Sequence, residues 1–293
     1  MKSKVLFTKQ LTPQRVIDIY EALGVKLDGN IGVKVHSGEK GNQNFLRPEF
    51  LKPMIEHVNG TVIECNTAYP GARNTSEKHK RLFEKHGWYK YFPVDLMDEE
   101  EPDLVLPIPN GKVLKEDYVG NHLDRYDSIL LLSHFKGHPM GGYGGALKQL
   151  SIGFASSRGK AHIHSAGKTK NQAILLANTA EQNEFLEGMA DAASAVHNKF
   201  KGHIVYINIM CNMSVDCDCC EVAEDPCLKD IGILASTDPI AIDKACIDLV
   251  KASNDPGVAH FLERVTSRNG EHTIEAAEAL GFGTTDYELI DID

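Results

Sequence analysis

The chain has 293 residues, 42% hydrophobic and 25% charged, the composition of an ordinary folded protein with enough length to bury a sizeable core. Its net charge of −10 argues against nucleic acid or an anionic membrane surface as the main partner. The opening MKSKVLFTKQ has too short an apolar run for a signal peptide, and ILLL at 129–132 is far too short to span a bilayer, so a cytoplasmic protein is expected.

Strand and helix signals then alternate along the whole chain. Residues 4–8 read as a strand. Thr12 caps a helix that has Pro13 at its first position and ends before Gly24. Residues 31–36 alternate as a strand with Lys34 and His36 on one face, 48–58 as a helix, 61–65 as a short strand, and Ser76 opens a polar helix that stops at Gly87. The segment 93–127 is acidic and proline-containing, with a hairpin signal at Asn110-Gly111. Residues 128–135 form the strongest buried strand, followed by a glycine-rich loop and a helix from Ala146. A helix over 184–200, strands over 203–210 and 231–236, a helix from Asp238-Pro239 to Ala252, a helix over 271–280 and a strand over 287–292 complete the pattern. Such alternation predicts an α/β fold, a mainly parallel sheet with helices on both faces. We read one domain over 1–293, with a weak signal for a division into two α/β halves near 127.

Four segments carry candidate chemistry. SHFKGHPMGGYGGALKQLSIG at 133–153 follows the buried strand directly. His134, Lys136 and His138 can move protons near neutral pH or hold charge. Gly141, Gly142, Gly144 and Gly145 allow a ligand close to the backbone, and a helix N-terminus with Lys148 in its first turn offers an anion site. The pattern is neither GxGxxG nor a P-loop, so no dinucleotide fingerprint is present. In GKAHIHSAGK at 159–168, His162 and His164 share a face if the segment is extended, as metal ligands or a proton relay require; solvated loop histidines are the alternative. Five of the seven cysteines fall within 211–227, and Cys217-x-Cys219 can chelate one soft metal ion, zinc or iron, with Asp216 and Asp218 as further ligands or outer partners. Clustered thiols in a reducing compartment point to metal or redox chemistry rather than disulfides. The spacing matches neither a zinc ribbon nor a ferredoxin cluster. Finally, Asn66, Tyr69 and Arg73 in NTAYPGAR at 66–73 could fix a substrate or cofactor.

GEKGN at 38–42, NTAYPGAR, the long run at 132–153, GKAHIHSAGK, and Cys217-Asp218-Cys219 followed by DIGILASTDPIAIDKACIDLV at 230–250 together resemble the family catalogued as domain of unknown function 362. The resemblance runs over nearly the whole chain and implies an α/β fold without a settled activity. Many members are described as iron–sulfur proteins because a ferredoxin-like insert follows the segment matching 159–168. Here 169–183 reads TKNQAILLANTAEQN, with no cysteine, so that label does not carry over. A more distant likeness, of architecture only, is to the nickel-cofactor lactate racemase fold.

The leading functional reading is a metal- or cofactor-dependent enzyme performing a redox or proton-transfer step on a small anionic substrate. His134, Lys136, His138, Lys148 and His164 are its acid–base groups, and Cys217 and Cys219, with His162 and His164, its metal ligands. The alternative is a non-catalytic metal- or ligand-binding module that works with a separate ferredoxin-like electron-transfer protein.

Overall fold

Thr12 and Asp238 act as helix caps, the first accepting from Arg15 N–H and the second from the Ile240 and Ala241 N–H groups. In the computed structural model, which describes residues 2–293, they open helices α1 (Pro13–Leu23) and α7 (Pro239–Ala252), with the limits the sequence implies. The strands are β1 (Ser3–Thr8), β2 (Ile31–Lys34), β3 (Thr61–Glu64), β4 (Val94–Leu96), β5 (Leu104–Pro107), β6 (Glu116–Val119), β7 (Ser128–His134), β8 (Lys136–His138), β9 (Gly142–Gly144), β10 (Ile204–Met210), β11 (Gly232–Ser236) and β12 (Tyr287–Asp291). The other helices are α2 (Pro48–His57), α3 (Ser76–Lys85), α4 (Ala146–Ser151), α5 (Ser157–His164), α6 (Gln182–Lys199), α8 (Val258–Ser267) and α9 (His272–Ala279).

Eight strands form one sheet in the order β12-β1-β11-β10-β7-β2-β3-β4. Five of its pairings are parallel, and β11 runs against both β1 and β10. The protein is therefore α/β with a mainly parallel sheet. β1 returns to lie between β11 and β12, so a cut at 127 would not divide the sheet into two. Strand β7 is buried on both faces: Ile129 and Leu131 join the core under α4, α6 and α7, while Leu130 and Leu132 join the core under α1 and α2. Among the described residues no helix is long and apolar enough to cross a membrane.

The hairpin expected around Asn110-Gly111 is present, β5 against β6 across the connection 108–115, and two other local expectations differ. The glycine-rich loop is itself a ladder, β8 against β9. Residues 159–164 lie in helix α5, not in an extended segment. Helix α8 was not expected from the sequence, although Phe261 and Val265, four apart, are its buried pair.

Candidate functional site

The four strands β10, β7, β2 and β3 are neighbours and parallel, so their C-terminal ends share one edge of the sheet. The chain leaving each strand delivers polar groups to that edge: His36 after β2, Thr67 and Tyr69 after β3, His138 after β7, and Cys217, Cys219 and Cys220 after β10. All of these except Cys217 line a 310 Å³ cavity whose wall also carries Lys34, Arg73, Lys148, Gln149, Lys160 and His164. That volume is in the range of small-ligand sites, about 300–1,000 Å³.

At one side of the cavity the His138 Nε2, Cys217 Sγ and Cys219 Sγ atoms all lie within 4.8 Å of one another. Cys217 Sγ accepts from the Lys148 ammonium and from the Cys219 backbone N–H, each at 3.4 Å. Burial would raise the Cys217 thiol. The hydrogen bond from Cys219 and the charge of Lys148 outweigh burial and hold it well below the ordinary range, as a thiolate. Cys219 is pushed well up, first by its hydrogen bond to Cys217, and so keeps its proton. Burial would lower Lys148, but the two sulfurs raise it. Burial and Lys148 lower His138, and burial takes His164 down to about 4, so both rings are neutral near pH 7. His36 also falls to about 4 through burial and the Arg73 guanidinium.

The sulfur-bearing loop is clamped from outside. Asn42 donates to the Cys217 and Cys220 carbonyls at 3.3 and 3.0 Å, and the Glu39 N–H donates to the Asp218 carbonyl at 2.8 Å. Asp218 lies between His134 and Lys136, at 2.9 Å from each. Burial opposes its charge, but those two partners hold it below the usual carboxylate range. Glu39 pairs with Arg73 at 3.1 Å, and Glu64 pairs with Lys34 at 2.7 Å, so two of the wall's cations have a carboxylate behind them.

The expected residues divide as follows. His138, Lys148, His164, Tyr69, Arg73 and Cys219 line the cavity, with Cys217 in the thiol cluster beside it. His134 does not reach the cavity: its second ring nitrogen donates to the Cys211 carbonyl at 2.6 Å, and Lys136 stays on Asp218, so both anchor the cysteine loop. His162 and His164 lie two apart on a helix and point to different sides. His164 donates to the Lys160 carbonyl at 2.7 Å, while His162 packs edge-on to Tyr118 outside the metal-competent cluster. Asn66 bonds Ser76 and His79 away from the wall.

The glycine expectation also needs correction. Gly137 lies so close to the Val215 backbone that a Cβ would collide with it, and Gly142 adopts φ 78° against the Gly270 backbone. Gly144 packs beside the Lys148 side chain, and Gly145 faces the Asp243 carboxylate. Gly141 meets the site through its N–H, which donates to His138 Nδ1 at 2.8 Å. The free N–H groups at the start of α4 are not open to an anion, because Asp243 accepts from Ala146 and Leu147 at 2.7 and 2.9 Å. The sequence reading passed over Lys160, Gln149, Glu64 and Cys220. Lys34 and His36 were signalled by their period-two alternation, and both reach the wall.

The family model described as "Domain of unknown function (DUF362)" matches residues 31–248. The chain belongs to this family. Every group named above in the DUF362 cavity lies inside that match. None of the curated proteins matches the chain. Among solved structures it is similar to the lactate racemase apoprotein from Thermoanaerobacterium thermosaccharolyticum, at 12% identity and TM-score 0.43, over 70% of this chain and 50% of that one. It is also similar to a structural-genomics target from Thermotoga maritima, at 13% identity and TM-score 0.44, over 91% of this chain and 58% of that one. The chain thus spans about half the length of the solved structures it matches.

Proposed function

We propose that this chain is an enzyme that carries out a proton-transfer or redox step on a small anionic molecule in the cavity, with a soft metal ion, zinc or iron, held at Cys217 and Cys219. The observation that carries this reading is the convergence of two sulfurs and one imidazole nitrogen within 4.8 Å at the shared strand edge, under a wall of buried cations. Thiolate and imidazole donors suit a soft or borderline ion, and three protein donors leave a position for a ligand oxygen. Such an ion would polarise a bound carbonyl or carboxylate. His164 and Tyr69 lie on the same wall as groups able to hold or pass a proton.

One observation favours a second, metal-free reading. His138 Nδ1 accepts from the Met140 and Gly141 N–H groups at 3.1 and 2.8 Å, so in the neutral ring the proton sits on Nε2 and faces Cys219 Sγ, 3.8 Å away. A metal-bound histidine instead donates through its other nitrogen. His138 would lose both backbone bonds on becoming a ligand, and the Lys148 ammonium already claims Cys217. A Cys217 thiolate flanked by an imidazole N–H and an ammonium is an activated nucleophile or redox thiol in its own right.

Elemental analysis and a visible spectrum of protein purified without oxygen separate the two readings. The metal reading expects about one ion per chain, lost in Cys217→Ser/Cys219→Ser with the far-UV circular dichroism unchanged and reduced in His138→Gln. Equal metal in the double variant sinks it, and metal-free wild type transfers the claim to the thiolate. Ligand binding without turnover would favour a non-catalytic module serving a separate electron-transfer protein.

A further inference from the structure

We propose that Lys160 and Gln149 form the anion seat of the cavity, and that its occupant is a small organic carboxylate with an apolar body. This deepens the reading above, since it rests on the cavity being the place where the substrate binds.

Lys160 stands apart from the other cations on the wall. Lys34 has Glu64 at 2.7 Å, Arg73 has Glu39 at 3.1 Å, and Lys148 has the Cys217 sulfur at 3.4 Å. Lys160 is 5% exposed, and its ammonium donates only to the Ala155 carbonyl, at 2.6 Å. No carboxylate oxygen among the described residues lies within 4.0 Å of it. Gln149, also on the wall and 7% exposed, has a buried Nε2 with no acceptor among the described residues. An ammonium with unspent N–H donors and an orphaned amide N–H₂ therefore line one enclosed space. A buried ammonium with unspent donors and an unsatisfied amide are both costly, and each is relieved when an oxyanion arrives. Burial lowers the Lys160 pKa, the direction that a bound anion would reverse.

Lys160 has no ion pair within 4.0 Å, and the Asp98 and Glu64 carboxylates act on it only from farther away, so its unspent N–H donors remain to meet an anion, and a planar carboxylate has two oxygens to offer. The rest of the ligand meets hydrocarbon: Ile152, Pro139, Met140, Leu175 and Leu176 complete the wall. Leu176 is 84% exposed and Met140 37%, apolar surface at the cavity that an apolar body would cover.

The test is calorimetric titration of the purified full chain, metal included, with straight-chain carboxylates from acetate to octanoate and with inorganic phosphate. Affinity is expected to rise about fourfold for each methylene that finds the apolar wall. Lys160→Met should weaken every carboxylate by about tenfold or more while keeping that chain-length increment, and Gln149→Leu by a few-fold. Unchanged octanoate affinity in either folded variant overturns the proposal, as does phosphate binding more tightly than every carboxylate. Metal content measured on the same samples keeps the two claims apart: Lys160→Met should match wild type, and loss of carboxylate binding at constant metal bears on the anion seat alone.

Discussion

The five cysteines at 211–227 differ in chemistry because their neighbours differ. Cys220 is partly exposed and is held below the ordinary thiol range, first by its hydrogen bond with Cys219. Cys227 and Cys211 have comparable access, yet burial raises both, Cys211 to about 12. Since the thiolate is the nucleophile, iodoacetamide near neutral pH should modify Cys220 before Cys227 and Cys211. Peptide mapping at partial modification checks this, and a Cys227-first order would show that access, not thiolate character, sets the reactivity. The sequence exposed the cluster but could not rank its members. Ranking depends on how deeply the fold buries each thiol and on the hydrogen bond that the folded loop makes between Cys219 and Cys220.

At the scale of elements, the placement of α4 decides where Lys148 points. Its N-terminus is closed by a residue nearly one hundred positions later: Asp243 on α7 takes N–H groups from Ala146 and Leu147, the Tyr143 hydroxyl at 3.2 Å and the Asn208 amide at 2.7 Å. Burial raises this carboxyl to about 6, but four donors need an acceptor there. Asp243→Asn would turn an N–H₂ toward these donors, so it should destabilise the fold by about 2 kcal/mol or more, read from urea unfolding, and reduce carboxylate affinity through Gln149 on the same helix. An unchanged urea midpoint would mean that α4 does not depend on this carboxylate. From the sequence alone, glycines before a helix read as an anion site. The supplier of the negative charge was the protein itself, and no local pattern in 137–148 carries that information.

Across the whole molecule, stability responds to buried carboxyls of opposite kinds. Glu64, Glu39 and Asp218 have depressed folded values, so their contribution is present above the usual carboxylate range and is lost as the pH falls through it. Asp117 on β6 is the reverse. It is fully buried, its Oδ2 has no partner among the described residues, and burial moves it from 3.8 to about 7. Between those values the folded state keeps a proton that the unfolded chain has released, so stability falls as pH rises through that window and levels off above it. Asp117→Asn removes the loss. Its advantage over wild type in urea should grow by roughly 1.4 kcal/mol for each pH unit crossed between about pH 5 and pH 7, then stay constant. A pH-independent difference would refute the assignment.

The sequence by itself determined the layers of this protein and the edge where its chemistry gathers. Apolar runs such as 128–135 and 203–210, and caps such as Thr12 and Asp238, act over a few residues, so they are legible without knowledge of the fold. The same reasoning reached His138, Lys148, Tyr69, Arg73, Cys217 and Cys219, because each follows a strand end directly or opens the next helix. Only the tertiary structure decided which of the polar groups face the cavity and which are structural. It spent His134 and Lys136 on Asp218, gave the α4 N-terminus to Asp243, turned His162 away by winding 157–164 into a helix, and left Lys160 with a single carbonyl partner and the Gln149 Nε2 with none among the described residues. The physical reason is that a charged side chain's role is set by what pairs with it, and in a parallel sheet those partners come from crossovers tens of residues away.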